Sequence, residues 1–177
     1  RLDFLDKVIK NSRKIIYDER RKRNHPLKDD KILTDWNGLM IAALSTGGLI
    51  LNDKTYTNAA KKAADFVLQN LQTNSGKLKK AYRNKSSNLN GCLDDYSFMI
   101  WGLLNLYENS FDIKYLERAI TLMNIMKKDF IDKNGGFFIS SKDQNNFVIR
   151  SKSIHDGAIP SGNSVAIMNL YRLGRIT

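Results

Sequence analysis

The residues best suited to chemistry are carboxylates in short polar strings. Asp94 and Asp95 stand side by side and Tyr96 follows them. Two adjacent acids repel, which raises the proton affinity of one of them. A helix N-terminus beside them works the other way and stabilises the anion. The pair therefore reads as general base or nucleophile more readily than as acid. Asp35-Trp36-Asn37 form a second string, and Asp156 with Ser161-Gly162-Asn163-Ser164 a third. Carboxylates, amides and an aromatic ring are what a sugar site needs. The carboxyls move protons or attack, and the ring covers the apolar side of the sugar.

Each string also has a plainer reading. Asp, Ser and Asn are preferred helix N-caps, worth about 1 kcal/mol each. Asp35 and Ser161 fit that role as well as a ligand-binding one. The Asp94-Asp95 pair fits it less, because one helix needs one cap and the second carboxyl is then free. Arg83, next to Tyr82, can reach over such a site and hold an anionic group, or it can be a surface arginine. His155 beside Asp156 can act as a proton carrier, the usual role of a catalytic imidazole, with an ordinary loop histidine as the alternative. Trp101 lies inside an apolar helix and reads as core.

These strings need elements to hold them, and the chain repeats. A shift of 59 residues superposes Leu39 on Phe98, Met40 on Met99, Ile41 on Ile100 and Leu44 on Leu103. The match runs on through Tyr56 and Tyr115, Ala60 and Ala119, Val67 and Met126, Leu71 and Phe130, to Gly76 and Gly135. A third unit begins near Ser161, where Asn169-Leu170-Tyr171 echoes Asn105-Leu106-Tyr107. Such a period marks stacked structural units. Each unit has an inner helix without charge (Gly38 to Asn52, Ser97 to Tyr107, Gly162 to Tyr171), expected to be buried all round. An amphipathic outer helix follows. Its apolar stripe is Tyr56, Ala59, Ala60, Ala63, Val67, Leu68 and Leu71 in the first unit and Tyr115, Leu116, Ala119, Met123, Met126 and Phe130 in the second. Gly76 and Gly135-Gly136 read as helix C-termini. Residues 136–152 alternate as a β-hairpin, with arms Phe137-Ile139 and Phe147-Ile149. Residues 1–23 read as a preceding outer helix with Leu5, Val8, Ile9, Ser12 and Ile16 facing in. The polar strings open the inner helices, so parallel inner helices collect them at one end. The expected fold class is all-α: α/α hairpin repeats forming part of an (α/α)6 toroid with a β-hairpin excursion, as a single partial domain over residues 1–177.

Composition agrees with a folded domain. The 177 residues are 42% hydrophobic and contain two prolines, which leaves long stretches free to be helical. The net charge is +11, but the lysines are scattered. The one dense run, Arg20-Arg21-Lys22-Arg23, suits the last turn of a helix. No basic-aromatic motif is present, so no nucleic-acid partner is expected. Cys92 is the only cysteine, which excludes an internal disulfide or a CxxC pair. The two histidines lack metal-ligand spacing, and neither a metal nor another cofactor is expected. The longest uncharged apolar stretch falls short of the roughly 20 residues that a membrane span needs. No membrane partner is expected, and the reducing cytoplasm is the expected compartment.

Three strings carry a resemblance: Asp29 to Ile41 (DDKILTDWNGLMI), Leu93-Asp94-Asp95-Tyr96 with Gly102 to Glu108 (GLLNLYE), and Asp156 to Ala166 (DGAIPSGNSVA). Together they resemble the spermatogenesis-associated thioredoxin-like proteins. The resemblance implies an (α/α)6 toroid similar to six-hairpin glycosidases and N-acylglucosamine 2-epimerases, about half of it covered here. It also implies a thioredoxin-like domain elsewhere in a parent chain. It strengthens Trp36, Asp94, Asp95, Asp156, Ser161 and Asn163 as site residues without assigning them roles. The expected function is carbohydrate binding or processing by a hydrolase or epimerase, with Asp94 and Asp95 catalytic. Asp35, Trp36, Asn37, Arg83, Tyr96, Asp156, Ser161 and Asn163 would bind the sugar. An epimerase would want histidines on inner helices, and these three carry none. The alternative is a non-catalytic scaffold serving a redox partner domain.

Overall fold

The computed structural model describes residues 2–87, 89–144 and 149–177. It divides into two units, Arg1–Asp30 and Lys31–Thr177. The first is helix α1 (Leu2–Arg21) and the segment after it, with Asp3 in the first turn and Arg20 and Arg21 in the last, as the macrodipole favours. None of its residues is buried. Leu5, Val8, Ile9 and Ile16, read from the sequence as an inward face, are 44% to 67% exposed. Among its described residues the unit holds no second element for that face to cover.

The second unit is a succession of helical hairpins. It contains β1 (Ile32–Leu33), α2 (Thr34–Ile50), α3 (Lys54–Asn70), β2 (Ala81–Tyr82), α4 (Leu93–Ser110), α5 (Ile113–Phe130) and α6 (Gly162–Ile176). Helices α2, α4 and α6 are the inner ones. Helix α4 packs on α2, on α5 and on α6, and α3 covers α2. Contacts between inner helices rise together along both chains, so the helices are parallel: Gly38 meets Phe98, Asn105 reaches Ala42, and Asn109 reaches Ser45. The expected all-α toroid repeat is present. Among the described residues only α4 has inner neighbours on both sides, and only α4 is buried nearly all round. Helix α2 exposes Trp36, Met40, Leu49 and Ile50, and α6 exposes Ile167 and Tyr171. The outer stripes bury Ala60, Ala64 and Val67 on α3, and Tyr115, Leu116, Ala119, Met123, Met126 and Phe130 on α5. Tyr56 and Ala59, counted in the stripe from sequence, lie on the exposed first turns of α3.

The 59-residue repeat survives as hydrogen bonds. Thr34 N–H donates to Lys80 O at 3.0 Å, and Leu93 N–H to Ile139 O at 2.9 Å. Lys79 N–H donates to Leu71 O, and Phe138 N–H to Phe130 O, both at 2.8 Å. Each segment after an outer helix thus turns back over the start of its own inner helix. The glycines do not cap α3 or α5. Gly76 (φ 83°) and Gly135 (φ 96°) sit a few residues later, closing turns in which their amides donate to Thr73 and Asp132. In the second excursion Phe137 bridges back to Ile131, and Ile139 N–H donates to Ser151 O at 2.8 Å. Of the expected turn (Lys142 to Asn146) and second arm (Phe147 to Ile149) of the hairpin, residues 145–148 lie outside the described residues. Among the described residues one sheet is present, joining β1 and β2 antiparallel, Ile32 with Tyr82 and Leu33 with Ala81.

Glycine sets the spacing of α2 and α4. A Cβ on Gly38 would lie 2.5 Å from the Phe98 carbonyl carbon, and one on Gly102 would lie 2.7 Å from Gly38 O. Gly47, on the same helix, has nothing within 4 Å. Gly38→Ala is therefore expected to cost about 2–3 kcal/mol, as overpacking does, whereas Gly47→Ala gains up to about 1 kcal/mol from helix propensity. Urea unfolding of the two variants checks the opposite signs.

Candidate functional site

The N-terminal ends of α2, α4 and α6 lie together, and the polar strings fall there. Their carboxylates are mostly engaged with backbone. Helix α4 starts from Cys92 in a capping box, with Asp95 Oδ2 accepting the Cys92 N–H at 2.8 Å. Asp95 Oδ1 accepts the Asp35 N–H at 3.0 Å, in the first turn of α2. Lys80 Nζ approaches that oxygen at 3.3 Å and Asp35 Oδ2 at 2.5 Å. Asp95 is fully buried. Desolvation pushes its carboxyl up to about 6, against the pull of Lys80 and of the bond from Cys92. It shares its two oxygens among two helix starts and one lysine.

Asp94 faces the other way. It is half-buried and accepts the backbone N–H of Gly162, in the first turn of α6. Burial raises its pKa, Lys80 and the Gly162 bond oppose this, and Asp35 adds to it. The adjacent acids do not divide into one cap and one free group. Asp95 serves its own helix and α2, and Asp94 serves α6. Asp156 Oδ1 accepts the next amide back, Ser161 N–H, at 2.8 Å. It is exposed, and its bonds from Ser161 and Ser164 hold it below the usual carboxylate range. Asp94 and Asp156 thus sit on consecutive amides with proton affinities shifted in opposite directions.

The remaining expected residues separate by exposure. Ser161 caps α6, its Oγ accepting Ser164 N–H at 3.1 Å. Asn163 is 4% exposed and spent on backbone: Oδ1 accepts Phe137 N–H at 2.8 Å, and Nδ2 donates to Phe137 O and Ser153 O. Tyr96 is 2% exposed, packs on Phe130 and accepts the Leu78 N–H through its hydroxyl at 2.9 Å. Burial is the main cause that lifts that phenol to about 12. Asn37 Nδ2 donates back to Leu33 O. Asp35 is not the cap of α2. That position is Leu33, and the first amides of the helix are met by Lys80 O and Asp95 Oδ1. Trp36 is 62% exposed, and Arg83 is exposed on the turn after β2. Asn163, Tyr96 and Asp95 therefore have almost no surface to offer a ligand. Asp94, Asp156, Trp36 and Arg83 have some.

Sequence reasoning missed Lys80. Burial acts to lower its pKa, but the Asp95 charge and the Asp35 bond outweigh this and raise it. Thr34 places it, through its amide and through Oγ1, which donates to Lys79 O at 2.5 Å. Nothing local marks this lysine among its many neighbours. The repeat would have pointed to its segment, since Thr34 and Lys80 correspond to Leu93 and Ile139. Cys92 is kept as a thiol, burial pushing it up to about 12. Among the described residues no three His, Cys, Asp or Glu side chains gather as metal ligands.

Asp95 carries a raised folded pKa, so ionising it costs stability. The cost is absent below its unfolded pKa of 3.8 and complete above about 6. Lys80→Met should lose about 3–5 kcal/mol at pH 8, because a buried carboxylate is left without its cation. Near pH 5, where Asp95 takes up a proton, it should lose less. Asp95→Asn should cost about 1–3 kcal/mol, since one amide oxygen cannot accept from both Cys92 and Asp35. Chemical denaturation of both variants at pH 5 and pH 8 measures this.

No family model matches the chain. Rat spermatogenesis-associated protein 20 is 34% identical over 173 residues, which is 92% of this chain and 22% of the relative. Among solved structures, a cellobiose 2-epimerase from Bacillus thermoamylovorans superposes with a TM-score of 0.67 at 16% identity, covering 85% of this chain and 42% of that one. A GH76 α-mannanase from Bacteroides thetaiotaomicron gives 0.58 at 22% identity, with 66% and 33% covered. These likenesses establish the fold of an (α/α)6 toroid. The chain spans about a fifth of the length of its curated relatives and is similar in sequence to that part of spermatogenesis-associated protein 20.

Proposed function

We propose that the N-terminal end of the inner helices is a carbohydrate site, and that it processes a glycosidic substrate with Asp94 as proton donor and Asp156 as base. The observation that carries the reading is the Asp94–Asp156 pair. The two carboxylates rest on consecutive amides, Gly162 and Ser161, and their environments push their proton affinities apart. Opposed shifts are how one site assigns acid and base. Two carboxyls are the machinery that glycoside hydrolysis needs. Trp36, exposed on the first turn of α2, offers a face on which a sugar ring can stack. The fold neighbours, a mannanase and a sugar epimerase, support the substrate class by analogy.

This reading moves the catalytic weight within the acid pair. Both Asp94 and Asp95 are candidates from sequence, but Asp95 is sealed behind Asp35, Cys92 and Lys80, and Asp94 alone keeps a surface. A second reading, a binding module without catalysis, is favoured by the groove between α5 and α6. This groove is about 450 Å³ and is lined by Ile120, Met123, Leu170 and Leu173. It predicts a protein partner and no dependence on Asp94.

Asp94→Asn separates the two. The amide oxygen can still accept from Gly162, so stability should fall by less than about 1 kcal/mol. Turnover of α- and β-linked oligosaccharides by the full parent protein should fall at least about 100-fold with loss of general acid catalysis. Unchanged turnover in Asp94→Asn would remove the assignment. Trp36→Ala should raise KM with little effect on kcat, as loss of uniform binding does.

A further inference from the structure

Helix N-termini normally attract anions, because their free amides and dipoles point at the ligand. A chain with a net charge of +11 adds to that expectation. The three inner helices have spent this capacity on their own carboxylates. Asp95 takes the amides of Asp35 and Cys92, Asp35 takes that of Trp36, Asp94 takes that of Gly162, and Asp156 takes that of Ser161. Of these four carboxylates Asp35 and Asp95 share the ammonium of Lys80, and Asp156 lies near His155. An incoming carboxylate or phosphate would find these amides occupied.

We infer that this end of the ring admits uncharged or amino sugars and rejects uronates and sugar phosphates. The inference rests on the carbohydrate reading and narrows it to a substrate class. The geometry leaves hydroxyl groups to be recognised by the Asp94 carboxyl and the Asp156 carboxylate, and a ring face by Trp36. An ammonium group in place of a hydroxyl would gain from the Asp156 carboxylate. Arg83, exposed on the turn after β2, is the residue that would have to hold an anion here.

Calorimetric titration of the full parent protein at pH 7 with glucose, glucosamine, glucuronate and glucose 6-phosphate, and with the manno equivalents, tests this. The neutral or amino member should bind at least about tenfold more tightly than the two anions. The gap should narrow in 0.5 M salt, about the screening range of such contacts, and in Asp156→Asn. A uronate or phosphate that binds as tightly as the neutral sugar would overturn the inference and leave the sugar site standing. Loss of that binding in Arg83→Ala would place the anion on Arg83. Binding of none of the eight sugars would overturn the carbohydrate reading, and the inference with it.

Discussion

One buried carboxylate organises this end of the molecule. Asp95 is shut away from water, where an unpaired charge is too costly to keep. Its oxygens must therefore be met, and they are met by three different parts of the chain: the start of its own helix, the start of α2, and Lys80. Lys80 is in place only because the segment after α3 turns back over α2, tied there by Thr34 and by the β1–β2 pair. The excursion, the two helix starts and the lysine depend on one another. The polar groups that remain outside this cluster are the ones with surface to spare.

The same geometry is written twice. Backbone bonds from Thr34 to Lys80 and from Leu93 to Ile139 stand 59 residues apart, and so do those of Lys79 and Phe138. The second excursion then departs from the first. Ile139 pairs with Ser151, where Lys80 pairs with Leu89, so the second loop is three residues longer than the repeat would make it. Asn163 closes that longer loop by bonding both backbone groups of Phe137. Among the described residues no lysine is ion-paired with Asp94 as Lys80 is with Asp35. The repeat is a scaffold, and its departures are where chemical individuality enters.

The fold neighbours act on sugars, but a shared toroid is not a shared mechanism. What bears on chemistry here is which carboxylates keep contact with solvent and how their proton affinities are set. Asp94 and Asp156 do so from different segments brought to adjacent amides of α6. The remaining acids at this end are structural, and they shape the field that any ligand meets.

The sequence by itself determined the helices, their division into inner and outer, and the repeat. Local periodicity carries that information, because a helix face needs only residues three and four apart. It also located the polar strings at the helix starts and proposed that they share one end, which the parallel inner helices bear out. Tertiary structure decided what each polar residue does. Asp94 and Asp95 are chemically alike and adjacent, yet one turns to α6 and the other into the core. Lys80 reads as one lysine among many until Thr34, 46 residues away, draws it over Asp35. Helices α2 and α6 read as buried all round and are not, because burial depends on having a neighbour on each side. A hydrogen-bond partner or a covering helix lies tens of residues away in the chain, beyond the reach of any local pattern.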